Sequence, residues 1–242
     1  MSIWGKIIGG TAGLAVGGPI GALIGLGLGA AVDAGAERLR VDPQAKRNVT
    51  FTIGVIALAA KMAKADGRVT REEVDAFKAV FRFDQAEMKN VGRIFDLARQ
   101  DTAGYEAYAR QIAKLMRGRL NVLEDLIDAL FYIAKADGTV HPKELEFIEN
   151  VSRIFGFDDH WFAALKTRHT GEKSDNPYLV LGVDPSVTDA DLKAHYRKLL
   201  KENHPDRLIA EGVPNEFIAV ATRRVAEINA AYDTLARERK LR

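Results

Sequence analysis

A long uncharged stretch near the N-terminus places the strongest constraint on how this chain can fold. Residues 7–32 contain no charged side chain, and most of them are apolar. A helix of this length can cross the hydrocarbon core of a bilayer with some tilt. We therefore predict a glycine-rich transmembrane segment at residues 1–35, followed by a basic juxtamembrane segment at residues 36–47.

Glycines recur at every fourth position through this stretch, and in lipid such small residues allow two helix backbones to approach closely. The pattern predicts homodimer formation in the membrane through Gly9, Gly13, Gly17, Gly21, Gly25 and Gly29. We favour a straight single pass, although Pro19 could kink the span or make it a re-entrant hairpin. A cleaved signal peptide would have a shorter apolar region, and a flexible linker would be less apolar.

The charges on either side of the stretch predict its orientation. Lys6 is alone on the N-terminal side, whereas Arg38, Arg40, Lys46 and Arg47 follow closely on the C-terminal side. The cytoplasmic flanks of membrane helices carry the excess of basic residues. We therefore expect the C-terminal domains to lie in the cytoplasm.

Composition and motif content exclude several classes of function. The chain has 242 residues, a formal net charge of +2 and no cysteine. So small a charge, without a dense basic block, argues against nucleic acid as the main partner, and the lack of cysteine excludes disulfides and thiolate chemistry. Neither a P-loop nor a GxSxG motif is present. We therefore expect a non-enzyme that uses no cofactor.

The middle of the chain contains an internal repeat. The sequence AKADGRV at residues 63–69 returns as AKADGTV at residues 134–140. Each copy is predicted to be a buried helix that leads through an Asp-Gly turn into an amphipathic helix. Thr70 and Glu73 match a capping box at the start of the first amphipathic helix. We expect residues 48–168 to form a pseudo-symmetric helical bundle.

The two Asp-Gly turns also match the second half of a calcium-binding EF-hand loop. The acidic side chains that would bind a metal are Asp66, Glu73, Asp137 and Glu144. The first half of the motif is missing, because Lys64 and Lys135 stand where an oxygen ligand is required. We therefore interpret the repeats as turns and helix caps, and keep metal binding as an alternative. His141 and His160 are interpreted as a cap and a surface residue, since no paired ligand spacing accompanies them.

Near the C-terminus, the sequence Asn-His-Pro-Asp-Arg at residues 203–207 interrupts a region with helical periodicity. Pro205 fixes its own φ and disfavours helix at His204, so the preceding helix must end at about Asn203. The imidazole of His204 and the carboxylate of Asp206 then lie outside regular structure, where they can contact a partner. Thr188 is the expected N-cap of the preceding helix.

The preceding helix also carries a basic face. Its cations are Lys193, Arg197, Lys198 and Lys201. Alone, such a run would be interpreted as a solvated surface. Beside the His-Pro-Asp turn, it predicts a docking site for an acidic partner surface.

Four motifs in order carry a family resemblance in this region. They are PYxxLGV at residues 177–183, LKxxYRKL at 192–199, HPDR at 204–207 and EINAAY at 227–232. Residues 176–242 therefore resemble the J domain of DnaJ-type co-chaperones.

The resemblance implies that this domain docks on a DnaK-type ATPase chaperone and that His204, Pro205 and Asp206 trigger ATP hydrolysis in that partner. Tyr196, Arg197 and Arg207 would belong to the docking surface, whereas Tyr178, Leu181 and Leu199 would be core residues.

Two further resemblances cover the rest of the chain. The repeat-containing bundle is similar to the TerB domain of tellurite-resistance proteins, and the opening sequence WGKIIG at residues 4–9 resembles that of the DjlA-like family of membrane-anchored co-chaperones. The expected fold class is all-α, and the resemblance implies the bacterial inner membrane as location. Residues 169–175 are polar and aperiodic, which predicts a flexible tether that lets the J domain reach its partner independently.

Three functions remain open at this stage. The leading hypothesis is a membrane-anchored co-chaperone whose bundle receives a client or a regulatory signal, although the sequence does not identify the client. The alternative is a metal-responsive or tellurite-stress binding protein with the J domain as adaptor. A structural membrane oligomer is the third.

Overall fold

The computed structural model describes residues 17–28, 43–170, 176–210 and 213–241. Within these ranges the chain is all-α, as predicted, with one short 3-10 helix at Gln85–Glu87 and no strand. The α-helices are α1 (Gly18–Leu28), α2 (Pro43–Ala63), α3 (Arg71–Val80), α4 (Met88–Ala98), α5 (Tyr105–Leu115), α6 (Leu120–Ala134), α7 (Pro142–Phe155), α8 (Asp159–Thr170), α9 (Pro177–Leu181), α10 (Asp189–Asn203), α11 (Pro205–Ala210) and α12 (Asn215–Glu238). We call α1–α8 the central bundle and α9–α12 the J-like region.

Helix α2 is the centre of the bundle. It packs against α1, α4, α5, α6 and α7, and nearly every residue from Val49 to Ala63 is buried. A helix that is apolar on all sides must be enclosed by others. The charge of Lys61 is accommodated because its ammonium donates to the carbonyl oxygens of Asp101 and Ala103, both at 3.0 Å.

The internal repeat folds as predicted into two helix–turn–helix units. In each unit the Asp side chain accepts a bond from the backbone N–H two residues later, at 2.7 Å for Asp66 and 3.2 Å for Asp137. Gly67 and Gly138 take φ values of +96° and +107°, which are unfavourable for residues with a Cβ. Capping boxes then start α3 and α7.

Helix α1 departs from the predicted straight span. Gly18 has a φ of +76°, so the chain does not pass through this residue as a right-handed helix. Pro19 lies in the first turn, where a missing N–H costs nothing. The side chain of Gln111 fixes this start, since its Nε2 donates to the Gly17 carbonyl at 2.8 Å.

The buried residues of α1 belong to the core of the bundle. Ile20, Leu23 and Ile24 pack with the residues of α2. Among the residues that the structure describes, no helix has both the length and the apolar character needed to cross a bilayer. Of the glycines predicted to pack in the membrane, Gly17 is exposed, Gly21 is buried and Gly25 lies within α1, while Gly9, Gly13 and Gly29 fall outside the described residues.

The J-like region has a small core of its own. Leu181, Leu192, Ile228, Ala231 and Leu235 are buried between α9, α10 and α12, and Tyr178 and Leu199 pack partly buried against them. The aromatic rings of Tyr196 and Tyr232 stack at 3.9 Å between ring centroids. These contacts hold α10 and α12 together as a helical hairpin.

The J-like region is packed against the bundle, which differs from the prediction of an independent, tethered domain. Its docked face consists of Leu208, Val213, Phe217, Val220 and Ala221, all buried in the same core as the bundle residues. Helix α12 contacts α6, and α9 contacts α8. Helix α8 extends to Thr170, and residues 171–175 of the predicted tether lie outside the described residues.

Gly54 of α2 and Gly92 of α4 provide a test of this packing. A Cβ on Gly54 would lie 2.9 Å from side-chain atoms of Ile112 and Ile20, whereas a Cβ on Gly92 would meet nothing within 4 Å. Replacing a helical glycine by alanine where the Cβ has room gains up to about 1 kcal/mol. We expect Gly92→Ala to raise the melting temperature of the full chain. Gly54→Ala should lose that gain to overpacking, which costs about 1–3 kcal/mol. Equal stabilisation by both changes would contradict the packing of α1 and α5 on α2.

Candidate functional site

The His-Pro-Asp turn lies between α10 and α11. Helix α10 ends at Asn203, as predicted, because Pro205 forces His204 into an extended conformation with φ −65° and ψ 128°. The prediction that Asp206 lies outside regular structure is wrong. Pro205 and Asp206 instead form the first turn of α11, where proline is favoured by its fixed φ.

His204 is the N-terminal cap of α11. Its carbonyl oxygen accepts from the N–H groups of Arg207 and Leu208 at 3.0 and 3.2 Å. Its Nδ1 atom accepts from the N–H of Asp206 at 3.2 Å. An Nδ1 that accepts this bond places the imidazole proton on Nε2, so a donor is available to a partner beside the carboxylate of Asp206. The side chains of His204 and Asp206 are 55% and 86% exposed.

The same capping arrangement, a histidine N-cap followed by proline, starts α7 in the bundle. His141 precedes Pro142 and accepts with Nδ1 from the N–H of Lys143 at 3.3 Å. The prediction that His141 is a cap is confirmed. A His-Pro pair is thus an N-cap followed by a favoured first helical residue. What distinguishes residues 204–206 is that Asp206 follows the pair and that the turn lies at the end of the basic helix α10.

The basic face of α10 is largely open to solvent. Arg197, Lys198 and Lys201 are exposed, and within the described ranges no salt bridge pairs them. Lys193 is only partly exposed and has a partner, as has the exposed Arg207. The structure sets Tyr196 apart from these cations, because its ring stacks on Tyr232 and its hydroxyl donates to Asn229 at 2.9 Å.

Both sides of the turn are held by the central bundle. On the N-terminal side, the Nδ2 atom of Asn121 in α6 donates to the carbonyl oxygen of Glu202 at 3.0 Å. On the C-terminal side, Leu208 is fully buried in the bundle core. The turn is therefore exposed, but the backbone that carries it contacts another domain.

A charged cluster completes the contact between the two domains. Arg224 of α12 is almost buried; its guanidinium donates to the carbonyl of Val180 at 3.2 Å and lies 4.0 Å from the carboxylate of Glu124. Burial raises the pKa of Glu124, and the charge of Arg224 acts in the opposite direction. Burial also raises the pKa of Asp125 well above its usual value.

Asp128 anchors the end of α8 beside this cluster. Its carboxylate accepts from Arg168 and His169. Burial alone would raise the pKa of Asp128, but the charge of Arg168 and the hydrogen bond with His169 hold it well below its usual range. Asp128 is therefore ionised, and it fixes the last residues of the bundle before the J-like region.

The four candidate metal ligands are only partly brought together. Asp66 and Asp137 close their own turns, while Glu73 and Glu144 from the two repeats are buried and hydrogen-bonded to each other. Burial and the contact with Glu73 raise the pKa of Glu144 to about 8. The raised pKa favours the protonated form of Glu144 beside Glu73. Over the described part of the chain, no group of three or more His, Asp or Glu side chains is arranged to hold a metal ion.

Comparison with known proteins matches three family models in the same order as the predicted segments. Residues 1–39 match the co-chaperone DjlA transmembrane domain, residues 52–167 match tellurite resistance protein TerB, and residues 176–242 match the DnaJ domain. A co-chaperone protein DjlA from Shewanella oneidensis is 31% identical, and the alignment covers 100% of both chains. The chain belongs to the DjlA family of co-chaperones.

Other members of the family are similarly distant in sequence. The co-chaperone protein DjlA of Photobacterium profundum is 28% identical over 80% of this chain and 79% of its own. That of Coxiella burnetii is 27% identical over 74% of each chain. No solved structure matches the chain. Co-chaperones of the DjlA family regulate a partner rather than catalyse a reaction, which agrees with the prediction of a non-enzyme. The match of residues 1–39 to the DjlA transmembrane domain supports a membrane-anchored DnaJ-type co-chaperone.

Sequence reasoning missed the residues that join the J domain to the bundle. The apolar spacing along α12 gives Phe217 and Ala221 the same helical face as Ile228 and Leu235, whereas the structure divides this face between two cores. No short-range pattern gives a role to Asn121 or Arg224. The available signal was the length of the apolar stripe on α12, which exceeds what a short hairpin can bury.

The carboxyl pair predicts a pH dependence of stability. The folded chain binds the proton of Glu144 more tightly than the unfolded chain, because its pKa rises from an ordinary 4.5 to about 8. The contribution of this proton to the free energy of unfolding is fully present below pH 4.5 and is lost as pH rises through about 8. The free energy of unfolding then falls by no more than about 1.4 kcal/mol per pH unit. We expect Glu144→Gln, which keeps the capping bond, to flatten the fall of melting temperature between pH 5 and 9.

The exposed Glu72 provides the control for this prediction. Glu72→Gln should leave the pH profile of the melting temperature unchanged. If Glu144→Gln gave the same slope as the unsubstituted chain, the raised pKa of Glu144 would not be the cause.

Proposed function

We propose that this chain recruits a DnaK-type chaperone to the membrane and stimulates its ATP hydrolysis through the His-Pro-Asp turn. The observation that carries the proposal is the exposure of His204 and Asp206 directly after a basic helix face. A J-domain co-chaperone implies a DnaK-type partner. The chain supplies binding and orientation, and the chemistry of ATP hydrolysis belongs to the chaperone.

The basic face and the turn have separate tasks in this proposal. Arg197, Lys198 and Lys201 are free to attract an acidic surface, and such long-range attraction mainly raises the rate of encounter. His204 offers an N–H donor and Asp206 a carboxylate at one edge of that face. These two groups are suited to a directional contact that is made after docking.

We further propose the topology that the sequence favours. Residues 1–35 would anchor the chain in the bacterial inner membrane, so α1 would leave the core in which Ile20, Leu23 and Ile24 lie here. Helices α2–α8 and the J domain would lie in the cytoplasm, and the excess of basic residues after the apolar stretch supports this orientation. Pairing of the glycine-rich segments would give a homodimer. Two J domains on one anchor would raise the local concentration of the chaperone by avidity.

Removal of the His204 imidazole tests the proposed trigger. The full chain, in detergent micelles, is added to a bacterial DnaK-type chaperone and steady-state ATP hydrolysis is measured. We expect His204→Gln to reduce the stimulation at least about tenfold, which corresponds to a loss of about 1.4 kcal/mol of transition-state stabilisation.

The exposed His160 on α8 provides a matched control. His160→Gln should stimulate as well as the unsubstituted chain. Full stimulation by His204→Gln would contradict the role of the turn, and no stimulation by the unsubstituted chain would contradict the proposed function.

Removal of the three free cations tests the basic face. We expect the combined change of Arg197, Lys198 and Lys201 to alanine to raise the chaperone concentration needed for half-maximal stimulation and to weaken its dependence on salt. The control removes the same charge from Lys89, Lys143 and Lys166, which are exposed on the bundle. An equal effect of both triple changes would show that net charge alone is responsible.

A further inference from the structure

The end of α10 is only partly supported from within, by the Nδ2 atom of Asn203, which donates to the carbonyl of Leu199 at 2.9 Å. The carbonyl oxygens of the last helical turn need donors that the helix itself does not provide. The N–H that would serve the Glu202 carbonyl in a continued helix is that of Asp206, and it is used by His204 Nδ1 instead. Pro205 has no N–H to offer. The donor that Glu202 receives comes from Asn121 of the bundle.

Helix α11 also depends on the bundle for its stability. It has only six residues, Pro205–Ala210, and an isolated helix of this length does not persist in water. Leu208 is the residue of α11 that is buried, and it is enclosed by the core of the bundle rather than by that of the J domain. The N-cap role of His204 exists only while α11 is helical.

Helix α12 is fixed on the bundle by apolar and polar contacts together. The ring of Phe217 meets that of Phe51 edge-on, with 5.3 Å between centroids. The guanidinium of Arg223 lies over the ring of Tyr132 at 4.2 Å, which is a cation–π contact. Docking thus fixes the position of the segment that follows the turn.

Docking leaves the groups of the proposed site uncovered. His204, Asp206, Arg197, Lys198 and Lys201 are exposed while the J domain is packed on the bundle. A contact that inhibits by masking would bury some of them. The arrangement favours presentation of the turn over its concealment.

We propose that the central bundle positions the His-Pro-Asp turn, with Asn121 as a positioning residue that fixes the end of α10 through the carbonyl of Glu202. The J domain would then present its trigger fully only when docked on the bundle. This inference deepens the proposed function and rests on it. The bundle would then contribute directly to stimulation of the chaperone by positioning the turn, rather than only separating the J domain from the membrane.

The variant Asn121→Asp separates positioning from stability. Aspartate has the shape of asparagine but, when ionised, cannot donate to the carbonyl of Glu202. Residue 121 lies in the first turn of α6, where an acidic side chain is favoured by the helix dipole. The acidic Glu124 and Asp125, three and four residues further on, oppose this gain, so we expect the melting temperature of the full chain to change little, although the turn is loosened. Asn90→Ala, on α4, serves as the control.

Hydrogen exchange measures the turn without any partner. In the full chain, the loss of one hydrogen bond should increase exchange at the amides of Asp206, Arg207 and Leu208 about threefold to tenfold in Asn121→Asp. Phe217→Ala should give a larger increase, because it removes part of the docked face. Unchanged exchange in Asn121→Asp, or an equal increase in Asn90→Ala, would overturn the proposal.

Stimulation of a DnaK-type ATPase gives the second readout. We expect Asn121→Asp to lower the maximal stimulation about threefold or more, with the half-saturating concentration changed less than about twofold, because the basic face is intact. Stimulation above that of the unsubstituted chain would show that docking inhibits, and unchanged stimulation would show that the contact has no role. Either result overturns the proposal.

The two readouts also separate this inference from the proposed function. If the unsubstituted chain stimulates no chaperone, the proposed function fails, and hydrogen exchange still decides whether Asn121 orders the turn. If the unsubstituted chain stimulates and His204→Gln does not, the function stands whatever the behaviour of Asn121→Asp.

Discussion

The burial of Phe217 between Phe51 and Phe81 joins the two halves of this protein. All three rings are almost completely buried, with centroids of Phe217 at 5.3 and 6.2 Å from the other two. Aromatic side chains contribute large apolar areas to such contacts. Because Phe217 lies in the first turn of the long helix α12, its position fixes α11 and the turn before it, while the far half of α12 closes the J domain. One helix therefore serves two cores.

The charged residues discussed above form two groups, one at the contact between the domains and one exposed to solvent. Arg224 and Arg168 are buried and Asp128 is largely buried at or near the contact between the domains, where each has a partner of opposite charge. Buried charges without partners are costly, and the pair of Arg224 with Glu124 restricts how the J domain sits on the bundle. The cations Arg197, Lys198 and Lys201 remain in solvent.

Much of the local structure follows from the sequence. The apolar run of α2, the Asp-Gly turns and the capping box at Thr70 were predicted because each depends on residues close together in the chain. The end of α10 at Asn203 was predicted for the same reason, since Pro205 acts on its immediate neighbours. The predicted straight helix through residues 7–32 fails at Gly18, whose left-handed φ is accompanied by a contact with the distant Gln111.

The sequence by itself determined the helices, their caps and the motifs of the His-Pro-Asp region, because these depend on backbone rules and on short spacing. Only the tertiary structure decided where the helices pack. Apolar periodicity identifies a face to be buried but not the surface that covers it, so Phe217 and Ile228 look alike in sequence and enter different cores. The bond from Asn121 to Glu202 joins residues far apart in the chain. Such a bond exists only after the domains have packed.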